Sequence, residues 1–169
     1  IAEPSNIVPF FGGSAVGIDM GVTTLATLSN GAECHHLDFS RLERKRLQAQ
    51  RSLSRKKKGS SNFRKAKARL SRVHEAVANK RLDTLHKATT AISKSHAVVY
   101  VEALNTKGMS ASAKGDMEQP GKNVRAKAGL NRSILNQGWH EFKRQLRYKL
   151  EWKGGQTVSA CGDIRRISA

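Results

Sequence analysis

The sequence predicts an α/β fold that carries a long, basic helical hairpin as an insertion. Three observations support this class: a hairpin pattern at residues 15–39, helical periodicity over residues 40–95, and a compact apolar run at residues 96–104. The chain has 169 residues, which suits one domain of ordinary size with its own hydrophobic core. One α/β domain with one helical insertion therefore accounts for the whole pattern.

The first part of the chain predicts a linker followed by antiparallel strands. Residues 1–14 read IAEPSNIVPFFGGS, and their prolines and glycines are typical of a linker. In VGIDMGVTTLATLSNG, two apolar runs end at Asn30-Gly31, a dipeptide favoured in tight turns between antiparallel strands. With AECHHLDF as the return strand, residues 15–39 predict two or three strands.

A long helical section follows these strands. Ser40 is suited to cap its N-terminus, and GSSN at 59–62 interrupts it. Beyond the interruption, apolar residues recur every three or four positions, which predicts one buried stripe on an unusually long helix. The stripe consists of Phe63, Ala66, Leu70, Val73, Val77, Leu85, Ala88 and Ile92. The two helical stretches predict a hairpin with a basic outer face.

The second half of the chain predicts a buried strand, a polar loop and a further helix. HAVVYVEAL, residues 96–104, is rich in β-branched and apolar residues, as expected for a strand buried on both faces. Residues 105–129 are polar, so they predict either a lid over an active site or an ordinary loop. Helical spacing resumes at Leu130 and stops at Gly154-Gly155, and TVSACGDIRRISA holds at most one short strand.

Positive charge is the dominant feature of the composition. Thirty-one lysines and arginines against thirteen acids give a formal net charge of +18 and a pI near 10.6. Residues 41–94, the basic segment, hold eighteen of these cations and only three acids. Such a surface attracts polyanions, which fits ribosomal proteins, nucleases and binders of anionic membranes alike. The positive charge therefore indicates that the partner is a polyanion, but it does not indicate which reaction the protein catalyses.

The basic segment offers candidate contacts to nucleic-acid phosphates. RKKK at 55–58 is ordinarily the solvated end of a helix, but beside so much other positive charge it equally predicts phosphate contact. The candidate residues are Arg44, Arg51, Arg55, Lys56, Lys57, Lys58, Lys65 and Arg72.

Membrane insertion, disulfide bonding and a cysteine-based metal site are not predicted. No stretch approaches the roughly 20 apolar residues of a membrane span, and no signal peptide opens the chain. Cys34 and Cys161 lie too far apart in sequence for a zinc knuckle or a disulfide framework. His35 and His36 are adjacent on a strand and point to opposite faces, so a surface pair is expected. The reducing cytoplasm is the expected compartment.

Two acids stand out because strand-like apolar sequence surrounds them. Asp19 lies between Gly17 and Gly21 on the first strand, and Glu102 ends the run HAVVYVE. Burying a carboxylate without a partner costs several kcal/mol, so such acids usually lie near a cation or hydrogen-bond donors. Turn capping by Asp19 and a strand-end salt bridge at Glu102 are one interpretation. The other is a shared Mg²⁺ site, if the two strands are neighbours, because Mg²⁺ takes one or two protein carboxylates plus substrate oxygens.

Three stretches occur in an informative order: GIDMGVTTLATLSNG, then VVYVEALNTKGM, then LNRSILNQGWHEFKRQLRYKLEWKGG. The first resembles the first motif of the RuvC nuclease domain in the transposon-encoded TnpB (OrfB) family, relatives of the compact type V CRISPR effectors. The second is similar to that family's second motif, an acid that ends a hydrophobic strand and precedes Leu-Asn-x-x-x-Met. The third resembles the family's next helix. The likeness covers residues 15–156 in family order.

This resemblance implies an RNase H-like (RuvC) core with a mixed sheet, and Mg²⁺-dependent cleavage of DNA addressed by a bound guide RNA. Asp19 and Glu102 match the family's first two metal-ligand positions. Base pairing by the guide supplies sequence specificity, while the protein reads backbone and duplex shape. The basic segment fits as a wall against RNA or an RNA–DNA hybrid. Guide RNA and target DNA are the implied partners, in a nucleoid-associated protein of the bacterial cytoplasm.

The sequence also departs from the family pattern. The family's third acid follows a Cys-x-x-Cys zinc ribbon in an Asp-x-Asn-Ala-Ala context, and neither that context nor the Zn²⁺ ribbon occurs here. Asp163 lacks the context and is not assigned the catalytic role. The family's N-terminal half, which recognises guide and target, is missing as well. We therefore expect a deletion or a backbone break near Gln156–Thr157, with residues 157–169 as a tail not contiguous with the nuclease-like part.

Three functions stay open on the sequence. The first is the RuvC-like portion of an RNA-guided DNA endonuclease, which the retained acids favour. The second is a catalytically inactive relative that binds RNA and DNA, which the absent third acid favours. The third, a basic structural nucleic-acid protein of ribosomal type, explains the charge but gives the two acids no role.

Overall fold

The computed structural model describes residues 14–35, 38–116 and 118–160. These residues fall into two compact units. The sheet unit comprises the described residues before residue 37 and after Lys87, and the helical unit comprises those in between. Each unit has its own internal packing, so each is described separately.

The sheet unit contains a five-stranded mixed sheet. Its strands are β1 (Ser14–Asp19), β2 (Ala26–Leu28), β3 (Glu33–Cys34), β4 (His96–Glu102) and β5 (Gln156–Ala160). The spatial order is β3-β2-β1-β4-β5; β1, β4 and β5 are parallel, whereas β2 runs antiparallel to both β1 and β3. The predicted α/β class is therefore confirmed.

The predicted hairpin turn at Asn30-Gly31 is also present, between β2 and β3. The Gly31 N–H donates to the Leu28 carbonyl at 2.9 Å, and the Leu28 N–H donates to the Ala32 carbonyl at 2.8 Å. Gly31 has a φ of +84°, which glycine adopts without the steric cost that a side chain would add. The dipeptide thus sets the turn, as its sequence predicts.

The two faces of the sheet are covered to different degrees at β1 and β4. On one face four side chains of these strands are at most 3% exposed, whereas Val98 and Tyr100 on the other face are half-buried. The fully covered residues are Val16, Ile18, Val99 and Val101. The expectation of a strand buried on both faces is therefore wrong for β4, because only one of its faces is fully covered by packed side chains.

Two helices account for the helical unit: α1 (Ser40–Ser54) and the longer α2 (Ser61–Ser95), whose last turns belong to the sheet unit. Half-buried positions recur along α2 with the predicted spacing of three or four residues. Within the helical unit they include Phe63, Ala66, Leu70, Val73 and Val77. Both helices are thus present, and their pairing as a hairpin stays a prediction.

The start of α1 differs in detail from the expectation for Ser40. Ser40 is the first helical residue, and Phe39 occupies the N-cap position. The Asp38 carboxylate accepts hydrogen bonds from the Ser40 N–H at 2.7 Å and from its Oγ at 2.9 Å. These bonds, the main-chain one above all, lower the pKa of Asp38. An acid two residues upstream therefore takes the capping role, where the positive end of the helix dipole favours negative charge.

The sheet unit has three further helices: α3 (Thr106–Met109), α4 (Val124–Gln137) and α5 (Trp139–Glu151). The region 105–129 is thus less irregular than its polar composition indicates, because it contains α3 and the first turns of α4. Asn131 on α4 donates to the carbonyls of Ser110 and Ala111 and so ties the remaining loop to α4. A lid function for this loop stays a prediction. No helix among the described residues combines the length and apolar character needed to cross a membrane.

Helix α5 packs beside β4 and β5 and contributes apolar residues to the core. Phe142, Leu146 and Leu150 are fully buried on one side of it. The buried Gln145 accepts a hydrogen bond from Thr89 Oγ1 at 3.1 Å, which joins α5 to the last turns of α2. This packing fixes the position of α5 relative to the strand ends.

Strand β5 includes the position near which the sequence predicts a deletion or a break. Gln156 and Thr157 pair with the consecutive β4 residues Val98 and Val99, so both belong to one continuous ladder. The boundary expected between residues 156 and 157 therefore falls inside β5. A deletion or break near this point stays a prediction. Residues 161–169, including Cys161 and Asp163, lie outside the described residues.

Candidate functional site

The two candidate acids end neighbouring strands of the sheet. In the parallel pairing of β1 with β4, Ile18 is opposite Val101, and each candidate acid is the next residue of its strand. Adjacent strands lie about 4.8 Å apart, so this register places Asp19 and Glu102 side by side. Both are partly exposed. The two strands, whose pairing the sequence alone does not establish, are thus neighbours in the structure. Convergence of the two carboxylates on one ion stays a prediction.

Alternation along the strands decides which face of the sheet the acids occupy. Ile18 and Val101 point into the fully covered face, at 0% and 3% exposure. Successive side chains of a strand point to opposite faces, so Asp19 and Glu102 lie on the less covered face. A large polyanionic substrate can approach carboxylates in that position without unfolding the core.

A tight turn follows Asp19 and requires glycine. A Cβ atom built onto Gly21 would lie 2.8 Å from the Thr24 carbonyl oxygen, closer than such atoms approach in real structures. Met20 and Leu25, on either side of the turn, are each 4% exposed and anchor it in the core. Residue 21 must therefore be glycine because a side chain would collide with the backbone of Thr24, in addition to its place in the motif.

Gln137, at the end of α4, holds the same turn and was not among the predicted site residues. Its side chain is 3% exposed, and its Nε2 donates to the Val22 carbonyl at 2.9 Å. Its Oε1 is buried and has no hydrogen-bond partner among the described residues. The sequence did carry a signal, because Gln137 follows the buried Ile134 by three positions and so falls on the apolar stripe of α4.

We expect Gln137→Leu to loosen the turn after Asp19 while changing global stability little. The loss of the donor leaves the Val22 carbonyl without this bond, which costs about 1–3 kcal/mol, but the change also removes a buried acceptor that has no partner in the described part of the chain. The expected result is a net change below about 1 kcal/mol in the free energy of unfolding, with faster amide exchange at residues 20–25. Chemical denaturation and hydrogen–deuterium exchange measure the two quantities.

Gln145→Leu is the matched control for this prediction. Gln145 is also fully buried, but both ends of its amide are hydrogen-bonded, to Glu141 Oε1 at 2.8 Å and to Thr89 Oγ1 at 3.1 Å. We expect this variant to lose more stability and to leave exchange at residues 20–25 unchanged. Equal exchange in the two variants would rule out the positioning role of Gln137.

Lys143 is the second residue of this region that was not among the predicted site residues. It lies on α5, and its ammonium group donates to the main-chain carbonyl of Glu102. Burial lowers the pKa of Lys143, and the negative charge of Glu102 opposes that effect. No local pattern predicts this contact, because it depends on how α5 packs against β4.

A third acid does not join the pair in the described part of the chain. Strand β5 places Ala160 beside Glu102 in the ladder, and β5 itself contains no acid. Among residues 14–35, 38–116 and 118–160, no group of three or more histidines, cysteines and acids is close enough to hold a metal ion. Asp19 and Glu102 thus stand without a third acid in the described part of the chain, and their role as metal ligands stays a prediction.

The neighbourhood of Cys34 behaves as a surface strand edge. His35 Nδ1 lies 3.7 Å from Glu33 Oε2, and both side chains are well exposed. Cys34 is half-buried, and burial raises the pKa of its thiol, which disfavours the thiolate that metals require. His36 lies outside the described residues.

All eight candidate nucleic-acid contacts are exposed in the helical unit. They lie on α1 (Arg44 and Arg51), in the connection (residues 55–58) and on α2 (Lys65 and Arg72). None of them forms an ion pair with a carboxylate in the described part of the chain. By contrast, Arg46 pairs with Glu43 at 2.7 Å. The eight charges are therefore available to an external polyanion, and the contact itself stays a prediction.

Comparison with known proteins places these motifs in a family. The family OrfB_IS605, described as "Probable transposase", matches residues 10–113. The chain is 52% identical over 147 residues to the "Putative RNA-guided DNA endonuclease InsQ" of Escherichia coli (strain K12), an alignment that covers 86% of this chain. It is 36% identical over 146 residues to the "Putative RNA-guided DNA endonuclease" of Streptomyces pristinaespiralis, again over 86% of this chain.

The relatives are much longer than the present chain. The two alignments cover 37% of the Escherichia coli protein and 33% of the Streptomyces protein. The chain thus corresponds to about a third of each relative.

Proposed function

This chain belongs to the OrfB_IS605 transposase family, and we propose that it forms the RuvC-like catalytic portion of an RNA-guided DNA endonuclease of a bacterial insertion sequence. The proposed reaction is Mg²⁺-dependent hydrolysis of a DNA phosphodiester bond, with the target addressed by a guide RNA. In this proposal the mixed sheet is an RNase H-like core, and the basic segment lies against the RNA or the RNA–DNA hybrid.

The observation that carries the proposal is the side-by-side placement of Asp19 and Glu102 at the ends of two parallel strands. Two carboxylates suit Mg²⁺, because that ion prefers oxygen ligands, keeps several waters and completes its shell with substrate phosphate oxygens. Two like charges on adjacent strands repel each other, and a bound cation would offset that repulsion together with the nearby Lys143.

The residues around the pair have complementary roles in this proposal. Asp19 and Glu102 would hold Mg²⁺, which when bound would polarise the scissile phosphate and activate a water molecule. The less covered face of the sheet would admit the DNA strand. Gln137 would hold the turn that follows Asp19, and Lys143 would add a positive charge where the polyanionic substrate passes.

A catalytically inactive binder of guide RNA and DNA is the second candidate. The observation that favours it is the lack of a third acid beside the pair in the described part of the chain. A site with two acids would hold a second metal ion poorly, because each carboxylate helps to offset the cost of dehydrating Mg²⁺. For that reason we expect the 169-residue chain by itself not to cut DNA. The nuclease proposal concerns a polypeptide of the relatives' length that contains these residues, called here the natural-length polypeptide.

Purification of the natural-length polypeptide together with its transposon sequence tests the proposal. We expect the protein to retain an RNA that sequencing maps to the transposon, and the complex to cleave matching DNA with Mg²⁺ but not with EDTA. Retention of the RNA without any cleavage would favour the inactive binder. Failure to retain a discrete RNA would contradict both candidates and leave the structural nucleic-acid protein.

A further inference from the structure

A cleft of about 280 Å³ lies between one flank of α5 and the edge strand β5, away from the face that carries Asp19 and Glu102. Its polar lining comes from one flank of α5 (His140, Lys143, Arg144, Arg147) and from two β5 hydroxyl residues (Thr157, Ser159). None of the described residues that line it is acidic. This combination of cations and hydroxyls without carboxylates is the usual chemistry of phosphate recognition.

The amphipathic character of α5 creates this flank. Its core side carries Phe142, Leu146 and Leu150, all fully buried, whereas the cleft residues recur at intervals of three and four and so share the adjacent side. Because the core residues fix the helix against the sheet, the basic side chains have a rigid base. The cleft is therefore built by the fold and does not depend on a mobile loop.

The cations in the cleft differ in how far they are already neutralised. Arg144 is held by two hydrogen bonds of 2.7 Å to the Glu141 carboxylate. Arg147 lies 3.4 Å from Glu151, but both side chains are more than half exposed, and such exposed pairs contribute little. Lys143 forms no ion pair in the described part of the chain. Lys143 and Arg147 are thus the two charges that a phosphate could recruit.

Lys143 also joins the cleft to the acid pair. Its ammonium group bonds to the main-chain carbonyl of Glu102, at the end of β4. The cleft and the acids therefore share the carboxyl end of the sheet, although they lie on different faces of it. A nucleic-acid strand that crosses this end could contact both.

We propose that this cleft binds the phosphodiester backbone of a nucleic-acid strand beside the acid pair, with Lys143 and Arg147 as the contact residues. The proposal deepens the proposed function, on which it rests, because it adds a phosphate site on the α5 side of the sheet. It requires two charges spaced one helical turn apart, which is about 6 Å along α5.

Fluorescence anisotropy with a labelled single-stranded 12-mer, in EDTA and over a range of salt concentrations, tests this site on the full chain. We expect Lys143→Gln/Arg147→Gln to lower the salt slope of log K by about 1.4, because each contact to a single strand contributes about 0.7. At 0.1 M salt this corresponds to about 25-fold weaker binding, if the contacts contribute nothing at 1 M. The titration is repeated with the 12-mer made of DNA and with the same sequence made of RNA. A reduced salt slope with either one supports the site and identifies the strand that it binds.

Arg125→Gln/Arg132→Gln is the matched control, since it removes two exposed cations of α4 in the same sheet unit. Circular dichroism melting establishes that both double variants are folded. An equal loss in the control, or an unchanged slope in the cleft variant, would overturn the cleft proposal. Absence of binding by the unaltered chain would instead contradict the proposed function, so the two failures are distinguishable.

Discussion

Replacing Asp19 by alanine or asparagine is expected to abolish Mg²⁺-dependent cleavage by the natural-length polypeptide and to leave RNA binding nearly unchanged. Asp19 and Glu102 end adjacent parallel strands, and either substitution removes one of the two carboxylates of this pair. Loss of a group that only orients a metal ligand by hydrogen bonding already costs about 10–100-fold in metal affinity or activity, so loss of a direct ligand should cost at least about 100-fold. Glu102→Gln should have the same effect.

Metal binding can be measured apart from cleavage. Electron paramagnetic resonance of Mn²⁺ titrated into the 169-residue chain reports binding even where the chain does not cut DNA. We expect Asp19→Asn and Glu102→Gln each to remove the bound Mn²⁺ signal. Glu33→Gln is the control, because Glu33 is an exposed acid on β3. If the acid-pair variants bind Mn²⁺ as well as Glu33→Gln does, the two residues are not metal ligands.

The second large effect is expected in the basic segment. Replacing Arg51 and Lys65 by glutamine should weaken binding of every nucleic-acid sequence alike, because phosphate contacts carry no sequence information. Each lost contact to duplex should reduce the salt slope by about 0.9, so the double variant should lose about 1.8. Anisotropy titrations with several unrelated duplexes, at four or more salt concentrations, measure both quantities.

Comparison of Arg46→Gln with Arg51→Gln separates direct contact from net charge. Each variant removes one charge from α1, but Arg46 pairs with Glu43 at 2.7 Å, and its side chain is only 23% exposed. Cations that are already paired release fewer counterions, so we expect a smaller change in slope. Equal slopes would mean that only total charge matters. Weakening confined to one target sequence would argue against phosphate contact by Arg51 and Lys65.

Local features of the fold could be predicted from the sequence because each rests on neighbouring residues. The turn at Asn30-Gly31 follows from the backbone freedom of glycine, and the stripe along α2 follows from apolar residues three and four positions apart. The order of three motifs likewise predicted the family, which the match over residues 10–113 confirms. Exposure of the basic segment follows from its charge, since solvation of lysine and arginine opposes burial.

Other features depend on contacts between residues that are distant in the chain, and only the tertiary structure decided them. The ladder of β1 with β4 places Asp19 beside Glu102, and the ladder of β5 with β4 places residues 156 and 157 inside one strand. The packing of α5 brought Lys143 to the Glu102 carbonyl. Hydrophobic patterning specifies that a strand or helix is buried, but it does not specify its partner, because apolar burial is non-directional. The pairing of strands and the packing of helices therefore determined which polar groups meet at the candidate site.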